Sequence, residues 1–129
     1  MVQYDHLASL LNHILNNKRV RKVRCEFRPS NKLMLSVLEI LKKQKYIKAF
    51  KENKNSRGGF IEIELGTFNY CRAIKPRFNV KRDSYDKYIR RFLPARNLGI
   101  IIVSTNKGLL THKEAMEKNL GGRLIAYCY

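Results

Sequence analysis

The chain has 129 residues, 27 of them Lys or Arg against 10 Asp or Glu, for a formal charge of +17. Hydrophobic residues make up 44% of it, with 7 Tyr and 6 Phe, so the charge belongs to a folded object and a disordered basic tail is excluded. The longest apolar run, Leu98 to Val103, is far shorter than the roughly 18 residues of a membrane-spanning helix.

The basic residues are spread along the chain. Up to Glu64 there are 14 Lys or Arg and 6 acids, and beyond it 13 and 4. The runs Lys18 to Arg24, Lys42 to Lys45 and Arg72 to Arg82 are interrupted by other residue types, as on one face of a strand or helix. Self-repulsion at this charge destabilises a compact chain unless counter-charge is supplied, which points to a polyanionic partner. Met1 to His6 lacks the regions of a secretory signal, so a cytosolic or nuclear location is expected. Three widely spaced cysteines, Cys25, Cys71 and Cys128, suit reduced thiols better than a disulfide framework.

Leu7, Leu10, Leu11, Ile14 and Leu15 recur at helical spacing and predict an amphipathic helix from Asp5 to Asn16, ended by Asn16-Asn17. From Val20 to Phe27, Val23, Cys25 and Phe27 alternate with Lys22, Arg24 and Glu26 as in a half-buried strand. Arg28 to Asn31 breaks that strand, with Ser30 a candidate N-cap for a helix carrying Leu33, Met34, Val37, Leu38 and Leu41. The Lys42 to Lys45 run suits the negative end of that helix. A strand starts within Tyr46 to Phe50, polar Lys51 to Gly59 reads as a turn, and Phe60 to Leu65 alternates as the second arm of a hairpin.

After a soft boundary at residues 66–70, Tyr70 to Lys75 reads as a short strand broken by Pro76 and followed by Phe78 and Val80. Asp83 or Ser84 caps a helix carrying Tyr85, Tyr88, Ile89 and Phe92, which Pro94 ends. Leu98 to Val103 reads as a strand buried on both faces, leading into a polar loop, Ser104 to Gly108. Thr111-His112-Lys113-Glu114 has the form of a capping box opening a helix to Asn119, Leu120 to Arg123 turns the chain, and Leu124 to Tyr129 is a last strand. The expected fold is α/β of the α+β kind, in two small packed lobes. Residues 1–68 would form helix-strand-helix with a β-hairpin, and residues 69–129 a mainly β lobe with short helices.

Catalytic chemistry is thinly represented. His6, His13 and His112 stand at no mutual ligand spacing and no Cys-x-x-Cys pair occurs, so no metal, cofactor or small-molecule substrate is expected. Arg57-Gly58-Gly59 and Gly121-Gly122-Arg123 lack the lysine-serine ending of a phosphate-binding loop. The Ser104 loop is different in kind. Ser104, Thr105, Asn106, Lys107 and Gly108 present short hydroxyl and amide groups at the end of an apolar strand, which suits hydrogen bonding to ribose, phosphate and base edges. On chemistry alone an ordinary strand-to-helix turn is the stronger reading, since the same residues are common turn formers.

The segments Ser104 to Ala115 and Gly121-Gly122-Arg123-Leu124-Ile125-Ala126-Tyr127 resemble the C-terminal signature of the universal small-subunit ribosomal protein eight family. Ile74-Lys75-Pro76-Arg77-Phe78 and Leu93-Pro94-Ala95-Arg96-Asn97-Leu98-Gly99 resemble its eukaryotic and archaeal members. Arg28-Pro29-Ser30-Asn31-Lys32 is similar to the family's Pro-x-Ser-Lys turn. The resemblance implies a non-enzymatic constituent of the small ribosomal subunit that binds the central domain of small-subunit rRNA early in assembly, beside neighbouring ribosomal proteins and away from any membrane. Its location would be the cytoplasmic ribosome, with nucleolar transit in a eukaryote.

The family's Ser-Thr-Ser-x-Gly loop clamps the minor groove of an irregular RNA helix and carries over as Ser104, Thr105, Asn106 and Gly108, with Asn106 where a second Ser is usual. The resemblance extends the RNA-binding set to Lys107, Lys75, Arg77, Arg96, Gly121 and Gly122 in the second lobe, and to Ser30 and Lys32 in the first. On this reading dispersed cations neutralise phosphates while the loop recognises groove shape. A regulator binding messenger RNA is the second reading; a small RNA-modifying enzyme is disfavoured by the scarcity of acids.

Overall fold

A computed structural model describes residues 6–28, 32–55, 58–75, 77–95 and 98–129. Residue contacts divide the chain into two compact units, Met1–Phe68 and Asn69–Tyr129. The architecture is α+β: helices and antiparallel sheets segregate within each unit.

The first unit runs α1 (His6–Arg19), β1 (Arg24–Phe27), α2 (Lys32–Lys43), β2 (Ile47–Asn55) and β3 (Gly58–Leu65). The antiparallel sheet has the order β1-β3-β2. Pairing of Cys25 with Ile63, Phe27 with Ile61 and Ile47 with Leu65 gathers apolar side chains on one face. Glu26 opposite Glu62 and Arg24 opposite Glu64 fall on the other. α1 packs on β1 and α2 on β2, burying Leu7, Leu10, Leu11, Ile14 and Leu15 from the first helix and Met34, Val37, Leu38 and Leu41 from the second. Each such aliphatic side chain contributes about 1.5–3 kcal/mol of transfer free energy.

The structure departs from the periodicity between α1 and β1. α1 continues through Asn16 and Asn17 to Arg19. Asn17, which would end a helix by competing for backbone groups, instead donates from Nδ2 to the His13 carbonyl at 2.7 Å and is buried within the helix. The chain then reverses at Arg21, so Val20 and Val23 are 65% and 59% exposed and the strand begins only at Arg24.

Three helices share one stop. After α1 the Lys22 N–H donates to the Asn17 carbonyl and the Arg21 N–H to that of Lys18, both at 3.0 Å. After α2, Tyr46 and Lys45 bond in the same way to Leu41 and Lys42. Leu120 and Asn119 do so after α4 (His112–Glu117), to Ala115 and Met116. The residue that turns is left-handed each time, with φ of 62° at Arg21, 66° at Lys45 and 54° at Asn119. This is the Schellman arrangement, usually built on glycine.

The polar stretch Lys51 to Gly59 is also strand for most of its length: Asn53 pairs with Phe60 and Asn55 with Gly58. Its polarity suits its place, because β2 is an edge strand and charged residues there discourage pairing with other chains.

The second unit runs β4 (Cys71–Ala73), β5 (Asn79–Val80), α3 (Tyr85–Phe92), β6 (Ile100–Thr105), β7 (Gly108–Thr111), α4 and β8 (Gly122–Cys128). Its antiparallel sheet has the order β4-β8-β6-β7, with β5 also on β8. Ile100 to Val103 are all buried, as a strand covered on both faces requires, whereas Leu98 lies before the strand and is 47% exposed. Ile101, Val103 and Leu124 pack with Tyr85, Tyr88, Ile89 and Leu93 around α3 and with Ala115 of α4. The Tyr85 hydroxyl donates to the Leu120 carbonyl at 2.7 Å, tying the start of α3 to the end of α4. Ser84 occupies the N-cap of α3 without a side-chain capping bond, while Thr111 caps α4 by accepting the Glu114 N–H at 3.3 Å.

A non-glycine residue held in the left-handed region costs about 1–2 kcal/mol, part of which glycine returns as unfolded-chain entropy. Lys45→Gly is therefore expected to raise the unfolding free energy in urea by about 0.5–1 kcal/mol. A loss of stability would contradict the role given to the Lys45 backbone.

Candidate nucleic-acid interface

β6 and β7 form a hairpin in which Thr105 pairs with Gly108. Ser104 and Thr105 thus end a strand, and only Asn106 and Lys107 form the turn. The polar segment leads into another strand, not into a helix as its composition suggested. Gly108 has φ +99°, and a Cβ placed there would meet no protein atom within 4 Å. Its backbone angle alone requires glycine, in keeping with a two-residue turn closed by a left-handed third residue.

The Thr105 hydroxyl is engaged inside the turn. It donates to the Gly108 carbonyl at 2.8 Å and accepts the Lys107 N–H at 3.1 Å. Ser104 and Thr105 are half-buried, whereas Asn106, Lys107 and Gly108 are exposed at the apex. The hairpin tip is consequently a fixed shape offering the Asn106 amide and the Lys107 ammonium outward.

Register places further groups beside the tip. Asn79 of β5 pairs with Arg123 of β8, and Arg123 pairs with Ser104 of β6. Strands lie about 4.8 Å apart, so the row from Asn79 to Ser104 spans roughly 10 Å. Arg123 Nε donates to Asn79 Oδ1 at 3.4 Å, which orients the guanidinium across this end of the sheet. Lys75 and Arg77 are exposed on the segment between β4 and β5, and the Phe78 carbonyl accepts the Leu124 N–H at 2.9 Å, fixing the end of that segment to β8.

Gly121 and Gly122 serve this arrangement by their size. A Cβ at Gly122 would collide with the Ser104 carbonyl, and one at Gly121 would lie 2.6 Å from the Val80 carbonyl. Their bareness lets β8 come close to β6 and to the end of β5, beneath the hairpin. Lys32 is exposed at the first position of α2 in the other unit. Ser30 and Arg96 lie outside the described residues, as does Pro76. Asn79 and Arg123 were absent from the expected site; Arg123 follows the Gly-Gly pair directly, but only strand register shows that it adjoins Ser104.

At the other end of β7, His112 is 1% exposed and its Nδ1 accepts the Ile101 N–H at 3.1 Å. The imidazole supplies β6 with an acceptor where β7 has ended. This bond needs a neutral ring, and burial, assisted by Lys113, pushes the His112 pKa down to about 4.

Among the described residues no group of three or more His, Cys, Asp or Glu could hold a metal ion, and no helix is long and apolar enough to cross a membrane. The fold and the composition define a strongly basic α+β protein. The family model for ribosomal protein S8 matches residues 5–129, and the chain belongs to that family. It is accordingly a ribosomal protein of the small subunit, structural and not enzymatic.

Two outcomes are expected of the isolated protein. Thr105→Val should remove both turn bonds, cost about 1–2 kcal/mol and unprotect the Lys107 amide in hydrogen exchange, while Thr105→Ser keeps the protection. Unchanged Lys107 exchange in the Val variant would contradict the turn described. For His112, the unfolded chain takes up a proton near pH 6.5 and the folded one only near 4. Stability from this group is therefore complete above 6.5 and falls by up to about 3 kcal/mol as the pH drops towards 4. Thermal unfolding of His112→Gln across that window should show a correspondingly flatter pH dependence than the parent protein.

Proposed function

We propose that the chain binds the central domain of small-subunit rRNA early in subunit assembly, with the β6–β7 hairpin tip set against the minor groove of an irregular helix. The observation that carries this reading is the rigid tip itself, whose apex groups face outward next to Arg123 and Asn79 on a chain of charge +17. An RNA minor groove is wide and shallow and displays ribose hydroxyls and base edges, so short polar groups on a fixed turn can reach it. The bare Cα of Gly108, with open space around it, lets RNA backbone approach closely.

Lys75, Arg77, Arg96, Lys107 and Arg123 act on phosphates in this reading, as Lys32 does with Ser30 from the first unit. Their part is affinity that falls with salt, since each neutralised phosphate releases counterions. Asn106 reads the groove, Ser104 supports it from the half-buried strand end, and Thr105 holds the turn in shape. Gly121 and Gly122 position β8 beneath the tip. Neighbouring small-subunit proteins complete the surroundings, and the location is the cytoplasmic ribosome, with passage through the nucleolus in a eukaryotic cell.

Binding of purified protein to a central-domain rRNA fragment and to a random RNA duplex tests this division. Asn106→Ala should lose about tenfold for the rRNA fragment and little for the duplex, a difference of about 1.4 kcal/mol. Lys75→Ala should weaken both and lower the log-log salt slope by about 0.9. Equal losses for both RNAs in the Asn106 variant would sink the assignment of recognition to the hairpin tip.

A further inference from the structure

Cys71 and Cys128 lie opposite each other across β4 and β8. One position along the ladder, Tyr70 and Tyr129 exchange both backbone hydrogen bonds, each at 2.9 Å. The cysteines therefore occupy the adjoining non-hydrogen-bonded position, where antiparallel Cα atoms approach to about 4.5 Å. That separation falls within the roughly 4.4–6.8 Å a disulfide bridges. Both residues are reduced and only 1% and 2% exposed, and the Cys128 thiol is hydrogen-bonded to Cys71. Cys25 is placed differently: it sits on β1 in the other unit, with Ile63 opposite.

We infer that Cys71 and Cys128 are a modification site, a dithiol that a low-molecular-weight disulfide oxidises to a cross-strand disulfide joining β4 to β8. In the first exchange the Cys71 thiolate attacks the small disulfide, a mixed disulfide forms and one small thiolate leaves. In the second the Cys128 thiolate attacks the Cys71 sulfur, the protein S–S bond forms and the second small thiolate leaves. Both thiol protons end on the two released small thiols, and two electrons pass from the protein sulfurs to the oxidant.

Access comes through β4. This strand has three residues and stands at one edge of the order β4-β8-β6-β7, so few ladder bonds break on its opening. While it is closed, the bond to Cys71 together with burial pushes the Cys128 thiol up and keeps it protonated and unreactive. Oxidation is thus gated by opening of the strand, and its product prevents further opening. β4 leads through Ile74 to Lys75 and Arg77, so closure also restrains the segment that presents those cations. That last consequence rests on the rRNA reading above, whereas the disulfide does not.

The test uses the full chain in native buffer with glutathione disulfide as the oxidant, followed by unfolding, maleimide capture of remaining thiols and peptide mapping by mass. The expected product carries one maleimide, on Cys25, and a Cys71–Cys128 linked peptide that dithiothreitol releases. Cys25→Ser should close as the parent does, and urea below the unfolding transition should accelerate closure in both. Amide exchange at Arg72 and Ile74, whose N–H groups face β8, should slow on oxidation. Recovery of three capturable thiols, a stable glutathione adduct without closure, or a bridge that includes Cys25 would each overturn the inference. Closure is read by mass alone, so its failure is distinct from a failure to bind rRNA.

Discussion

The close antiparallel pairing of β6 with β8 is the constraint on which the second unit depends. It brings Ser104 level with Arg123, and it is possible only because Gly122 carries no side chain where the Ser104 carbonyl passes. One face of this ladder contributes Ile101, Val103 and Leu124 to the core that holds α3 and α4. Beyond the core the ladder continues into the β6–β7 hairpin, so the exposed tip is anchored by the most deeply buried strand of the unit. A surface that must recognise a shape is best set on such a base, because motion of the supporting strand would blur the contact.

In the proposed function, charge and recognition fall to different groups. The excess of 17 positive charges is spread over both halves of the sequence and cannot by itself choose one RNA over another. The groups with a fixed geometry are few. Thr105 is bound on both sides of its hydroxyl, Arg123 is oriented by Asn79, and His112 replaces a strand as acceptor for Ile101. Each of these contacts limits the freedom of the strands that carry the tip.

Much of the fold was legible in the residues. Leu7 to Leu15 and Met34 to Leu41 mark their helices by period, and the alternation of Ile61, Ile63 and Leu65 marks β3. The Thr111 capping box also forms as its residues suggest. What was hidden has physical reasons. Arg21 and Lys45 end helices in a conformation that normally selects glycine, so no residue type announces the turn. Asn17 satisfies its amide on a carbonyl of its own helix, removing the stop signal it carries elsewhere. Lys51 to Asn55 is polar because it lies on an edge strand, and composition does not distinguish that from a loop. At the site, Ser104 to Gly108 stood out by composition, but the inward use of the Thr105 hydroxyl and the adjacency of Asn79 and Arg123 depend on register, which no local pattern encodes.

In the proposed function a rigid hairpin tip, and not the dispersed charge, selects the RNA. Hydroxyl-radical footprinting of the protein on full-length small-subunit rRNA tests it most directly. The account predicts a compact protected patch confined to one irregular helix of the central domain, persisting when salt is raised until non-specific binding is lost. Protection scattered over many helices and fading uniformly with salt would show that charge alone directs binding, and would contradict it.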